Sequence, residues 1–193
     1  MFKDITPVLR DPEALNEVVS GLAEAFAERG IDAVAAVEAR GFIFGACVAQ
    51  KLGVGFIPIR KPGKLPCDTV RCRYELEYGA DAVEMHEDAV AEGQNVLLVD
   101  DLLATGGTMA EAVRVVQGAG CGKVFLAATH GVFAGPAIER FRELPAEEIA
   151  VTDSIPQRDA VKEFATVLSA GPLLGQAIHR IHESLSVSSL FVD

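Results

Sequence analysis

Apolar and polar positions along this chain follow two rhythms, a helical one and a strict alternation, and the rhythms trade places repeatedly. Leu15, Val18, Val19, Leu22 and Phe26 recur at helical spacing. Asp11 can cap such a helix, Pro12 suits its first position and Gly30 can end it, so the pattern predicts a helix over 12–29. The apolar run 33–37 predicts a buried strand, 42–52 a helix closed by Gly53, and 55–59 the next strand. The rhythm then changes. Tyr74, Leu76 and Tyr78 alternate with polar residues, Gly79 and Asp81 suggest a turn, and 82–85 returns, so 70–85 reads as a hairpin. Residues 95–99 form the clearest buried strand. Beyond them the pattern predicts a helix over 107–118, a strand over 123–128, a helix over 136–142, strands over 148–151 and 164–168, and a last helix over 172–183. The sum is an α/β fold: a mostly parallel central sheet flanked by helices, with one hairpin excursion.

The length of 193 residues suits a single domain with a sizeable core. Half the residues are hydrophobic and mean hydropathy is +0.28, which excludes a disordered chain. The apolar runs are too short to span a membrane. Phe2, Lys3 and Asp4 follow Met1 with no leader pattern, so a cytoplasmic protein is expected. A net charge of −11 argues against nucleic-acid binding but leaves room for a small anion at a local basic patch. The spacings of Cys47, Cys67, Cys72 and Cys121 match no zinc or redox motif, and these read as ordinary thiols. His179 and His182 lie three apart without further metal ligands nearby in sequence.

The chemistry concentrates in Val99-Asp100-Asp101-Leu102-Leu103-Ala104-Thr105-Gly106-Gly107-Thr108. An apolar strand ends in two adjacent carboxylates, and a loop of small residues then runs into a helix start. Glycines let backbone N–H groups approach an anion, the helix start adds positive partial charge, and Thr105 and Thr108 add hydroxyls. Phosphate alone would not call for two acidic residues. A sugar diol would, because carboxylates accept hydrogen bonds from paired hydroxyls. The residues therefore suggest a sugar phosphate at the carboxyl end of a central strand. The G-x-x-x-x-G-K-[ST] phosphate motif is absent, which sets nucleoside triphosphatases of that class aside.

This segment resembles the phosphoribosyl pyrophosphate (PRPP) motif of type I phosphoribosyltransferases, and its Leu102-Leu103-Ala104-Thr105-Gly106-Gly107-Thr108 form resembles the adenine phosphoribosyltransferases in particular. Phe2-Lys3-Asp4-Ile5-Thr6-Pro7 is similar to that family's opening base-site segment, Glu38-Ala39-Arg40-Gly41-Phe42 to its pyrophosphate loop, Arg60-Lys61-Pro62-Gly63-Lys64-Leu65-Pro66 to its basic loop, and Tyr74-Glu75-Leu76-Glu77-Tyr78-Gly79 to its flexible catalytic hairpin. These motifs run in order over 1–118. The remainder, 121–193, departs from that family. Ala127-Ala128-Thr129-His130-Gly131-Val132-Phe133, Val151-Thr152-Asp153-Ser154-Ile155-Pro156 and the ending Ser186-Val187-Ser188-Ser189-Leu190-Phe191 resemble the C-terminal part of ribose-phosphate pyrophosphokinase, the enzyme that makes PRPP. The chain reads as one phosphoribosyltransferase domain of mosaic composition, joined in or just after the helix following Thr108.

The resemblance implies transfer of phosphoribose from PRPP to adenine, giving AMP and pyrophosphate, with Mg²⁺ bound through PRPP rather than by direct protein ligands. It implies that Asp100 and Asp101 hold the ribose hydroxyls, and that Ala104, Thr105, Gly106, Gly107 and Thr108 hold the 5′-phosphate. Glu38, Ala39 and Arg40, helped by Arg60, Lys61, Lys64 and Tyr78, would meet the pyrophosphate. Phe2, Lys3 and Leu102 would lie at the base. Glu77 and Arg40 are the expected catalytic residues. A non-proline cis peptide is implied at Glu38–Ala39, and a homo-oligomer is expected by analogy. The family carries further residues before its Phe-Lys-Asp segment, so the base is expected to be less enclosed here. Two alternatives stay open: a sugar-phosphate-binding protein without turnover, and a kinase like the PRPP-making enzyme.

Overall fold

The computed structural model describes residues 6–76, 79–171, 175, 179, 182 and 183. Two short helices that periodicity could not reveal, α1 (Thr6–Arg10) and α6 (Asp159–Lys162), are each about one turn long. α2 (Pro12–Phe26) begins where its residues dictate: the Asp11 carboxylate accepts from the N–H groups of Glu13 at 3.1 Å and Ala14 at 2.9 Å. It stops three residues before the expected end, and the chain turns through Gly30, at φ +64°, into β1 (Ala33–Val37). α3 (Gly41–Leu52) closes on Gly53 in the left-handed region, and β2 (Gly55–Ile59) follows. β3 (Thr69–Leu76) and β4 (Gly79–His86) form the hairpin. Gly79 and Asp81 already belong to β4, paired with Leu76 and Tyr74, so the turn expected at these two residues is not there.

β5 (Val96–Leu103) runs four residues past the expected strand. β6 (Val124–Gly131) pairs alongside it through Asp100↔Ala128, Leu102↔His130 and Leu103↔Gly131, so the two carboxylates lie inside the strand rather than at its end. α4 (Gly107–Gly118), α5 (Ala137–Glu143), β7 (Glu148–Thr152) and β8 (Thr166–Leu168) complete the described elements. Of the expected last helix only 171, 175, 179, 182 and 183 are described, the first four of them helical.

All six strands of the main sheet are parallel, in the order β2-β1-β5-β6-β7-β8. Burial on both faces explains the continuous apolar runs of β1, β5 and β6. Leu97, Val99 and Phe125 pack with Val19, Leu22 and Phe26 of α2 and with Phe44 and Val48 of α3. Val96, Leu98 and Leu126 point the other way, toward Val113 and Val116 of α4, Phe141 of α5 and Met85 of the hairpin. Each such side chain, fully buried, contributes roughly 1.5–3 kcal/mol. From β1 the chain crosses through α3 to β2, and from β5 it crosses through α4 to β6 on the opposite side. The two neighbouring strands thus send their connections apart, and a crevice opens at their carboxyl ends. Among the described residues no helix is long and apolar enough to cross a membrane.

Candidate active site

That crevice is a cleft of about 330 Å³, with residues 37–40 on one wall and 100–109 on the other. Glycine brings the walls together. A Cβ on Gly41 would lie 3.1 Å from the Val99 carbonyl and 3.3 Å from Asp100 Oδ1, a tight fit that glycine relieves where α3 starts against β5. The Glu38–Ala39 peptide is cis, as the resemblance implies.

The first wall works through side chains. Arg40 Nε donates to Asp101 Oδ2 at 2.5 Å. Glu38 turns toward the basic loop, accepting from Arg60 Nε at 2.7 Å, Lys64 Nζ at 2.6 Å and the Lys61 N–H at 3.2 Å. Burial pushes the Glu38 carboxyl up, but these donors outweigh it and hold it down at about 2. Arg60, Lys61 and Lys64 are therefore gathered at the rim by Glu38 and do not line the cleft itself. The loop is anchored a second time. Arg60 and Glu84 exchange backbone hydrogen bonds of 2.9 and 2.8 Å, and the buried Glu84 carboxylate accepts from the Gly63 N–H, Thr69 Oγ1 and Arg71 Nε.

The second wall begins with the carboxylate pair. Asp101 is buried and Asp100 half-buried, and the Asp101 N–H donates to Asp100 Oδ1 at 2.8 Å. Burial, and then the neighbouring Asp101 carboxyl, push Asp100 up to about 7. The loop that follows is built from backbone. Gly106 sits at φ +77°, and a Cβ there would come within 2.6 Å of the Phe141 ring. The Leu103 carbonyl accepts from the N–H groups of Val132 and Phe133, the Ala104 carbonyl from that of Ala134, and the Gly106 carbonyl from that of Ala110. Arg140 Nη1 donates to the Thr105 carbonyl at 2.5 Å. The carbonyls are thus occupied behind the loop. What remains to offer an anion is the N–H groups of a helix start, which have no intrahelical acceptor, with the exposed Thr105 and Thr108 beside them.

The cleft therefore brings together Glu38, Ala39, Arg40, Asp100, Asp101, Leu102, Ala104, Thr105, Gly106, Gly107 and Thr108. Phe2, Lys3, Glu77 and Tyr78 lie outside the described residues. Val132, Phe133, Ala134, Arg140 and Phe141 were not anticipated at the site. No local signal marks them, because only the pairing of β6 with β5 carries their segment behind the loop.

Comparison with known proteins decides the family. An adenine phosphoribosyltransferase of Thermoanaerobacter pseudethanolicus is 58% identical over 119 residues, which are 62% of this chain and 69% of that protein. The chain belongs to the adenine phosphoribosyltransferase family. The crystal structure of the adenine phosphoribosyltransferase from the same organism superposes with a TM-score of 0.63 and 42% identity, over 87% of this chain and 86% of that one. This adenine phosphoribosyltransferase family member also carries, over residues 85–192, a match to the family model of the phosphoribosyl synthetase-associated domain, and belongs to that family too. The crystal structure of phosphoribosylpyrophosphate synthetase from Mycobacterium smegmatis is 28% identical, with a TM-score of 0.63 over 89% of this chain and 51% of that chain. Both likenesses read from the motifs are thereby found.

Proposed function

We propose that this chain transfers the 5-phosphoribosyl group of PRPP to adenine, giving AMP and pyrophosphate in purine salvage. The observation that carries this reading is the meeting of three unlike groups in one crevice: the Asp100-Asp101 pair, the backbone loop 104–108, and Arg40 beside the cis Glu38–Ala39 turn. They match the three parts of PRPP. Asp100 and Asp101 accept from the ribose hydroxyls. Ala104 to Thr108 cradle the 5′-phosphate through backbone N–H groups and the Thr side chains. Arg40 meets the pyrophosphate, with Arg60, Lys61 and Lys64 supplying positive charge at the rim. The base is assigned to Leu102 in the cleft and, from the family resemblance, to Phe2 and Lys3, which lie outside the described residues.

The reaction breaks the bond from the sugar carbon to pyrophosphate oxygen and forms one from that carbon to a base nitrogen. Positive charge builds on the sugar and negative charge on the leaving group. The useful protein groups are donors to pyrophosphate, Arg40 and Tyr78 among them, and an anion near the sugar or base, the role assigned to Glu77. The residues present fit Mg²⁺ arriving with PRPP. Asp100 and Asp101 are hard oxygen groups, and Asp101 is already paired with Arg40, so PRPP oxygens and water would do most of the holding. Among the described residues no group of three or more His, Cys, Asp or Glu side chains is placed to hold a metal. When bound, Mg²⁺ neutralises charge on the pyrophosphate. A homo-oligomer in the cytoplasm belongs to the same reading.

The test is AMP formation from adenine, PRPP and Mg²⁺, with hypoxanthine, guanine, and ATP plus ribose 5-phosphate as parallel arms. Turnover with adenine alone is expected. Turnover of ATP with ribose 5-phosphate would favour instead the kinase reading to which the match over 85–192 points. Binding of PRPP or AMP by folded protein without any turnover would leave a sugar-phosphate-binding protein. Turnover that survives Glu77→Ala unaltered would remove Glu77 from its role.

A further inference from the structure

The loop 104–108 carries a motif that resembles the adenine phosphoribosyltransferases, and what shapes it from behind lies further along the stretch 85–192 that matches the phosphoribosyl synthetase-associated domain. Three consecutive carbonyls, those of Leu103, Ala104 and Thr105, are taken by residues 132–134 and by Arg140. The backing segment is itself clamped. Arg158 Nη2 donates to the Phe133 carbonyl at 2.5 Å and Gln157 Nε2 to the Gly131 carbonyl at 2.8 Å. Of the groups that hold these three carbonyls, Arg140 alone is a charged side chain, and it acts at a particular bond. The Thr105 carbonyl and the Gly106 N–H are two ends of one peptide unit. A guanidinium on the carbonyl draws electron density from the unit and makes its N–H a stronger donor. Phe141, the next residue, lies so close to Gly106 that a Cβ there would come within 2.6 Å of its ring.

We infer that Arg140 is a positioning residue for the 5′-phosphate site, orienting and polarising the Thr105–Gly106 peptide from behind so that the Gly106 N–H serves as an anion donor. This rests on the reading given under Proposed function. It assigns α5 a share in substrate binding through a guanidinium that acts from behind the loop. The phosphate does not react, and contacts to it that hold equally before and during the transfer raise KM when lost without lowering kcat.

The experiment measures binding of AMP and of adenine, and KM and kcat for PRPP, in the full chain and in Arg140→Ala, Arg140→Gln and Arg140→Lys. Arg140→Ala should weaken AMP binding and raise the PRPP KM on the order of tenfold. Adenine binding and kcat should stay within about twofold, and Arg140→Lys should recover most of the loss because it restores a charged donor. If Arg140→Ala fails to fold, Arg140→Gln takes its place, keeping the stem as far as Cδ while removing the charge and shortening the reach to the Thr105 carbonyl. AMP affinity and PRPP KM unchanged in the folded variant would overturn the inference. So would an equal loss for AMP and adenine, which would mark a purely structural role. If the unaltered chain binds neither AMP nor PRPP, the reading of the site fails first, a result distinct from a variant that binds as well as the parent.

Discussion

The two loops that face each other across the β1/β5 crevice are built in opposite ways. After β1, charge sits on side chains: Glu38 gathers Arg60 and Lys64, and Arg40 reaches Asp101. After β5, the loop carries small residues and works through peptide groups, its carbonyls fastened behind it. A side-chain wall can be altered one residue at a time and can rearrange when a ligand arrives. A backbone wall tolerates changes of side chain but not changes of path. The difference teaches where each kind of substitution should hurt.

The largest effect is expected in the first wall. Arg40→Ala should lower kcat/KM on the order of 100- to 1000-fold, as loss of a donor to a developing anion does. Thr105→Val across the cleft should stay within about threefold if backbone donors dominate there. Steady-state kinetics on both variants checks the contrast, and equal losses would erase it. Next comes Gly106→Val, which requires a left-handed φ from a β-branched residue and a Cβ 2.6 Å from the Phe141 ring. The displaced loop should bind AMP more weakly on the order of 100-fold, measurable by calorimetry. An unchanged affinity would show that the path of this loop does not matter.

Two pH experiments sharpen the comparison further. Asp100, held up to about 7 against an ordinary 3.8, favours folding while protonated, so its share of stability is fully present below about 3.8 and is lost as pH rises from there through about 7. On the proposed assignment binding runs the other way, because ribose hydroxyls would donate to the carboxylate. PRPP affinity should rise about tenfold more from pH 6 to 8 in the parent than in Asp100→Asn. Parallel pH profiles for the two proteins would remove Asp100 from the sugar site. The smallest effect belongs to Glu38. Its carboxyl lies at about 2 when folded against an ordinary 4.5, so its stabilisation is present above about 4.5 and is lost as pH falls toward 2. With Arg60 and Lys64 partly in solvent, about 1–2 kcal/mol is expected. Denaturant unfolding of Glu38→Gln at pH 7 and pH 3 reads it as a gap that narrows in acid.

Much of this was legible in the residues. Asp11-Pro12 announced the start of α2, Gly53 the end of α3, and the runs 33–37 and 55–59 coincide with β1 and β2. The sugar-phosphate character of 99–108 could be argued from carboxylates, glycines and threonines alone. What could not be read was the continuation of β5 through its own carboxylates, since that depends on β6 lying alongside. Nor could Glu38 be seen as the partner of Arg60 and Lys64, which stand more than twenty residues away and meet it only across β1 and β2.

The order of the longer helices and strands, the mostly parallel sheet, the chemical type of the ligand and the double resemblance of the chain were determined by sequence alone. They rest on local periodicity, capping chemistry and motifs, all of which act within a few residues. The direction in which the Asp100 carboxyl shifts, the placing of the rim cations on Glu38, and the backing of the loop 104–106 by Arg140 and Phe141 were decided only by the tertiary structure. Desolvation, ion pairing and steric contact depend on which groups the sheet order sets side by side, and neither residue spacing nor composition encodes that.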